Sequence, residues 1–283
     1  MEKIKLWDGS EIPRLGQGTW YLGDYPQKRS DEERALKEGI HLGMTLIDSA
    51  EMYGDGRAET LVGEVAVQYP RKSLFLVSKV YPFHADKSHV FDCCDASIHR
   101  MKADYLDLYL LHWRGSVPLS ETVACMEELV KRGKIRHWGV SNFDTEDMED
   151  LFRIKGGDHC AVNQVLYHLG SRGVEYSLLP WLQKHAVPLM AYCPLAQGGA
   201  LRKGLFENPA VIRVASAHQA TSAQVLLAFL LSRSNVLAVP KASSLKHTRE
   251  NAAASHLKLS PEELSLLDKA FPPPKHKTFL DIV

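Results

Sequence analysis

Three apolar runs of this 283-residue chain stop at a residue that can do chemistry. "LI" stops at Asp48, "FLVS" at Lys79 and "DLYLL" at His112, and Tyr53 follows the first of them in "LIDSAEMYGDG". An acid, an amine, an imidazole and a phenol suit a reaction that builds negative charge on an oxygen and then has to protonate it. Hydride addition to a carbonyl carbon is such a reaction. A tyrosine near its reference pKa of about 10 holds a proton at neutral pH but is a weak acid. A Lys79 ammonium beside the phenol is expected to stabilise the phenolate and lower that pKa, and Asp48 to pair with Lys79 and keep it charged and aimed. His112, in its neutral form, is expected to hydrogen-bond the carbonyl oxygen and turn it toward Tyr53.

These residues meet only if their strands lie side by side. Short apolar runs begin at Leu15, Thr45, Leu74, Leu106, Ile135, Ala161, Val187 and Val236, which makes eight candidate strands. Most are separated by helix signals, and that alternation implies parallel pairing with helices outside. Ser30 with Glu33 and Thr221 with Gln224 read as capping boxes. Val123, Met126, Leu129 and Val130 form one helical stripe that Gly133 can end. Ser260-Pro261 with Glu263 starts a last helix after the eighth strand.

An open doubly wound sheet would show the same alternation, but its dinucleotide version needs G-x-G-x-x-G after the first strand. Here Gly16 and Gly18 are followed by Thr19, Trp20 and Tyr21, and a tight turn is the expected role of the pair. The fold class expected is therefore α/β, a closed (β/α)8 TIM barrel forming a single domain over residues 1–283. It should have an N-terminal β-hairpin in "KLWDGSEIP" and an extra C-terminal helix. In such barrels the active site lies at the C-terminal ends of the strands, where Asp48, Lys79 and His112 stand.

Composition excludes other classes. Hydrophobic residues are 45%, charged residues 24% and the formal net charge is +0, which argues against disorder and against capture of nucleic acid by charge. No run reaches the ~18 apolar residues of a membrane span, and the charged N-terminus does not read as a signal peptide. A cytoplasmic monomer acting on a small molecule, without nucleic-acid or membrane partners, is expected. Cys93, Cys94, Cys125, Cys160 and Cys193 show no metal-ligand spacing and read as reduced thiols, with no metal expected.

Taken in order and context, "GQGTW", "LIDSAEMYGDG", "FLVSKV", "DLYLLHW", "IRHWGVSNF", "AVNQVLYH", "AYCPLAQGG" and "VPKASS" resemble the aldo-keto reductase family along nearly the whole chain. The similarity is greatest to bacterial members of the small-aldehyde and methylglyoxal reductase type. It implies an NADP(H)-dependent oxidoreductase whose Asp48, Tyr53, Lys79 and His112 match the family's catalytic tetrad. It implies further that Ser141, Asn142 and Gln164 hold the nicotinamide carboxamide, that Tyr192 stacks on the ring, and that Gly18, Thr19, Trp20 and Asp48 also border the cofactor. Pro194, Leu195, Gln197 and Gly198 would lie across the pyrophosphate. Lys241, Ser243, Ser244, His247, Arg249 and Asn251 would take the adenosine phosphate, with His247 in place of a frequent arginine. The tail after the last helix is short, so Trp20, Tyr81, His112, Trp113 and Phe279 are expected to wall a shallow pocket for small aldehydes and dicarbonyls. Two other readings stay open: a Schiff-base lyase using Lys79, and a non-catalytic nucleotide-binding subunit.

Overall fold

Strands of a parallel sheet covered on both faces read as unbroken apolar runs, and each of the eight runs contains such a strand. The computed structural model describes residues 1–283, the surroundings of Ala200 excepted. Two short strands come first, β1 (Lys3–Lys5) and β2 (Glu11–Pro13), paired antiparallel with Ile4 opposite Ile12. They are followed by β3 (Gln17–Gly18), β4 (Leu46–Asp48), β5 (Phe75–Val80), β6 (Leu106–Leu111), β7 (Ile135–Ser141), β8 (Asn163–Leu166), β9 (Leu189–Tyr192) and β10 (Val236–Ala238). These eight lie parallel in one sheet, in sequential order.

The two edges meet and close the barrel. Leu15 bridges Ala238 and Gly18 bridges Lys241. Gly16 N–H donates to Ala238 O at 2.9 Å and Gly18 N–H to Pro240 O at 3.0 Å. A Cβ on Gly18 would stand 2.7 Å from Val239 O, and one on Gly16 2.9 Å from Leu46 O. The two glycines, expected in a tight turn, serve instead the close approach of backbones at the seam.

Side chains alternate along each strand, so residues two apart share the barrel interior. Leu46, Val77, Leu108, Leu110, Val162, Met190, Leu237 and Val239 pack there, while Ile47, Tyr109 and Leu111 face the helices. The hairpin pushes Leu6 and Ile12 into the same cluster and plugs the N-terminal mouth. Stepping two residues on from these interior positions reaches Asp48, Lys79, His112, Gln164, Tyr192 and Lys241 at the other mouth. Register alone thus carries the interior from apolar filling to polar chemistry.

The helices follow the expected signals with one exception. Thr221 and Ser260 each complete a capping box, before the helices Ser222–Leu231 and Pro261–Ala270. Val123, Met126 and Leu129 are the buried stripe of Leu119–Lys131, and Gly133 adopts φ +71° just beyond it. Ser30 is not a cap: a 3-10 turn at Pro26–Lys28 runs directly into Arg29–His41 and places Ser30 inside the first turn. Glu33 pairs with Lys37 at 2.5 Å instead. Between β9 and β10 the chain adds two helices, Gly199–Phe206 and Pro209–Ala217, before the apolar barrel helix Ser222–Leu231. No single helix among the described residues is long and apolar enough to cross a membrane.

Candidate active site

Lys79 is fully buried, and its three ammonium hydrogens meet three acceptors. Nζ donates to Asp48 Oδ2 at 3.0 Å, to the Ser49 carbonyl at 2.7 Å and to Tyr53 Oη at 3.1 Å. The second oxygen of Asp48, Oδ1, also 2.9 Å from Nζ, accepts from Gln164 Nε2 at 2.9 Å. Tyr53 reaches the lysine because the turn after β4 bends back, with Tyr53 N–H on Ala50 O at 3.0 Å and Ala58 N–H on Tyr53 O at 3.3 Å. Gly54 and Gly56 supply the positive φ values, +58° and +83°, that this turn requires. Since Lys79 donates to Tyr53 Oη, the phenolic hydrogen is free to point elsewhere. Tyr53 and His112 stand edge to face, with ring centroids 5.9 Å apart.

Burial, with the Asp48 charge behind it, pushes the Tyr53 phenol well above its ordinary pKa. This corrects the expectation of a lowered value. The nearby ammonium favours the phenolate, but removing the phenol from water and facing it with a carboxylate outweigh that help. Lys79 itself is pushed down by burial and pulled back up by Asp48. His112 is lowered to about 3, by burial first and by Lys79 second, and is therefore neutral at physiological pH. Its Nδ1 is buried without a partner.

Two cavities meet at these residues. The first, about 440 Å³, is lined by Trp20, Met52, Tyr53, His112, Trp113, Arg114, Ser141, Asn142, Gln164, Tyr192, Ile282 and Val283. Its polar groups are cross-linked. Tyr192 Oη donates to Asn142 Oδ1 at 2.9 Å, Asn142 Nδ2 to the His112 carbonyl at 3.1 Å, and Ser141 Oγ to the Gln164 carbonyl at 2.8 Å. The second cavity, about 180 Å³, runs from Gly18, Thr19 and Trp20 past Tyr192 along Pro194, Leu195 and Gln197 to Lys241. A smaller recess of about 80 Å³ continues from Lys241 to His247 and Asn251.

Several expected residues stand elsewhere. Arg249 is turned away from the recess by Glu38, with Nε 2.6 Å from Oε1. Ser243 and Gly198 line none of these cavities, and Ser244 accepts the His247 N–H as cap of the helix Leu245–Ala253. Tyr81 packs edge-on against Trp113 without lining the pocket, and Phe279 is 98% exposed. In its place the terminal Ile282 and Val283 reach the pocket, on a strand of chain held by Lys277 to Asp144 and Glu146 and by Asp281 to Ser171.

Arg202 was not anticipated. It lines both the second cavity and the recess, and its Nη1 donates to the carbonyls of Leu195 and Ala196 at 3.2 and 3.3 Å. Neither Arg202 nor Lys241 has a carboxylate within ion-pair distance among the described residues, although Glu250 lines the recess beside them. The sequence signal is a basic residue one turn into a helix that starts at the double glycine of the loop.

Residues 14–271 match the Aldo/keto reductase family. The methylglyoxal reductase YeaE of Escherichia coli K12 is 55% identical over 96% of this chain and 95% of that protein. A glyoxal reductase of Bacillus subtilis is 30% identical over 94% of the chain and 92% of that protein. The crystal structure of an aldo-keto reductase from Klebsiella pneumoniae in complex with NADPH is 53% identical. It superposes with a TM-score of 0.96 over 100% of this chain and 99% of that one. A match this long, on a barrel with this shape, places the chain in the aldo/keto reductase family.

Proposed function

We propose that this chain reduces small aldehydes and dicarbonyls, methylglyoxal among them, with NADPH as the hydride source and Tyr53 as the proton donor. The observation that carries the reading is the contact of Lys79 Nζ with Tyr53 Oη, at 3.1 Å, in the wall of a cavity that His112 also lines. NADPH supplies a hydride to the carbonyl carbon. The residues do the rest. Neutral His112 keeps its proton on Nε2, since an unpaired buried acceptor at Nδ1 costs less than an unpaired donor. It donates to the carbonyl oxygen and turns it toward Tyr53. The raised pKa of Tyr53 keeps the phenol charged with its proton until an alkoxide, a stronger base than phenolate, forms beside it. Lys79 then stabilises the phenolate through the hydrogen bond already in place, and Asp48 holds Lys79 under it.

The cleft fits the nucleotide. Gln164 Oε1 accepts no protein donor among the described residues, which leaves an acceptor for a carboxamide in a cavity that Gln164 lines. Tyr192 offers its ring face between the two cavities, and Gly18 lets a ligand approach the backbone closely. Lys241 and Arg202 have no carboxylate partner and suit the phosphates, with Lys241 reading the 2′-phosphate beside His247 and Asn251. The lyase reading loses ground here, because every hydrogen of Lys79 is engaged and Nζ is enclosed, with no room for a carbonyl carbon to reach it. A cytoplasmic monomer working as one catalytic unit over residues 1–283 completes the proposal.

NADPH consumption with methylglyoxal, followed for the wild-type chain and Tyr53→Phe, tests it. Turnover in the first and loss of it in the second, with NADPH binding retained in both, is expected. Nucleotide binding without turnover on any small aldehyde would favour the regulatory reading.

A further inference from the structure

Beside the pocket, on the other side of Met52, three metal-ligating side chains from different elements converge. Glu51 lies in the turn after β4, His84 ends a 3-10 turn at Pro82–His84 after β5, and Cys93 is in the first turn of the helix Val90–Arg100. One ligand atom of each falls within 4.8 Å of the others. Glu51 Oε1 is 3.2 Å from His84 Nδ1, and the Cys93 sulfur lies within 4.8 Å of both ligand groups. None of these residues takes part in the chemistry described above.

The Glu51 side chain is only 9% exposed, yet no lysine or arginine lies within ion-pair distance of it among the described residues. A carboxylate that far from water without a full cationic partner is costly. It keeps its place by accepting the Tyr81 N–H at 2.7 Å, which still leaves the charge without a permanent counterion. We propose that Glu51, His84 and Cys93 bind one divalent ion of the zinc class, with water in the fourth position.

The donor set selects the ion. Thiolate, imidazole and carboxylate together suit zinc and its spectroscopic substitute cobalt better than calcium or magnesium, which take oxygen ligands. Bond lengths of about 2.0–2.3 Å put neighbouring ligand atoms of a tetrahedral zinc about 3.3–3.5 Å apart. The Glu51–His84 pair, at 3.2 Å, is within about 0.1 Å of that spacing, and Cys93, within 4.8 Å, closes the triangle by a side-chain adjustment. The His84 ring packs edge to face on the stacked pair of Phe83, 4.7 Å away, and Tyr81, 5.7 Å away, which limits the rotamers lost on binding. As the metal–sulfur bond forms the thiol proton leaves to buffer, and thiolate and carboxylate together balance the 2+ charge around a neutral imidazole. Glu51 would then have the cation that its surroundings lack.

The test reads binding, not turnover, so its outcome is separate from that of the reductase reading. The purified full chain, stripped with chelator, is titrated with Co2+ and then with Zn2+ in competition with a chromophoric chelator. One Co2+ per chain with a thiolate-to-cobalt charge-transfer band is expected, displaced by one Zn2+. Cys93→Ser should abolish the band, and His84→Ala should weaken Zn2+ binding by about tenfold or more. Both variants are checked by thermal melting, and because His84 is partly exposed its variant reports even if the cysteine change disturbs the helix. No thiolate band in the wild-type chain would overturn the proposal. So would a band that survives Cys93→Ser, or zinc binding unchanged in His84→Ala.

Discussion

At the N-terminal mouth of the barrel the inward positions are filled by Leu6 and Ile12 from the hairpin, packed on Leu46, Val77 and Leu108. At the C-terminal mouth the same rows of inward positions, two or four residues further on, hold Asp48, Lys79 and His112 around a cavity of about 440 Å³. The polar groups of the lower rim, Asp8, Ser10 and His137, sit outside the plug and partly in water. His137 Nε2 is 2.8 Å from Asp8 Oδ2 and Trp7 stacks on His159 at 5.0 Å. One end therefore gains stability from apolar filling and keeps its charges at the surface. The other buries an ion pair, which is a weak source of stability and a strong source of directed chemistry. Changes at the two ends should separate cleanly into stability and rate.

The largest separation is expected for Tyr53→Phe, which removes the proton donor and leaves the fold's packing almost intact. Its kcat should fall by about 10²–10⁴-fold, with the Kd for NADPH nearly unchanged. A loss below tenfold in a chemistry-limited assay would break the contrast. In the wild-type enzyme, His112 titrates near pH 3 and is neutral above it, so its ionisation should leave no inflection in kcat/KM between pH 5 and 8. An inflection that disappears in His112→Gln would place a charged imidazole in the reaction.

The converse at the lower mouth is Ile12→Ala. Ile12 is fully buried in the plug, so the truncation should cost about 2–5 kcal/mol of unfolding free energy, read by denaturant melts. The kcat of the folded fraction should stay within a factor of two or so of wild type, because no active-site contact changes. A large drop in kcat would show that the two ends are mechanically coupled.

Smaller still is Lys241→Ala, which should raise the Kd for NADPH by about tenfold or more, the value of a charged hydrogen bond, while leaving NADH almost untouched. Fluorescence titration at fixed ionic strength checks it, and equal losses for both nucleotides would assign Lys241 to loop support. Arg202→Ala should weaken both nucleotides alike, because Arg202 lines the part of the cleft proposed for the pyrophosphate that they share. Asp8→Asn should have the least effect. Burial acts to raise the Asp8 carboxyl, but hydrogen bonds from Ser10 and His137 prevail and hold it down to about 2. A depressed carboxyl contributes stability above its unfolded pKa of about 3.9 and loses it as pH falls toward 2. At this exposed rim the contribution is screened to about 1 kcal/mol or less. Wild type and Asp8→Asn should therefore differ in Tm at pH 6 and converge near pH 2.

How much of this was readable beforehand depends on the range of the interaction. The eight strands, the closed barrel and the meeting of Asp48, Tyr53, Lys79 and His112 followed from apolar runs and from which residue ends each run. A strand's inward side repeats every two residues, so Val77 buried in the barrel commits Lys79 to the same side whatever the rest of the chain does. The capping boxes at Thr221 and Ser260 are likewise contained within four residues of sequence. Ser30 failed as a cap because a neighbouring turn at Pro26–Lys28 extended the helix backward, an outcome that the cap residues themselves do not encode.

What the tertiary structure decided were the pairings between segments distant in sequence. Glu38 claims Arg249 from across 211 positions, and Arg202 on an added helix lines the cleft from which Arg249 is turned. Phe279 points to water while Ile282 and Val283 reach the pocket, because ion pairs at Lys277 and a hydrogen bond at Asp281 fix the path of the tail. The direction of the Tyr53 pKa belongs here as well, since it depends on how completely the phenol is removed from water. Local periodicity determines which side of a strand a residue occupies; burial and the choice among competing partners exist only once distant segments have packed together.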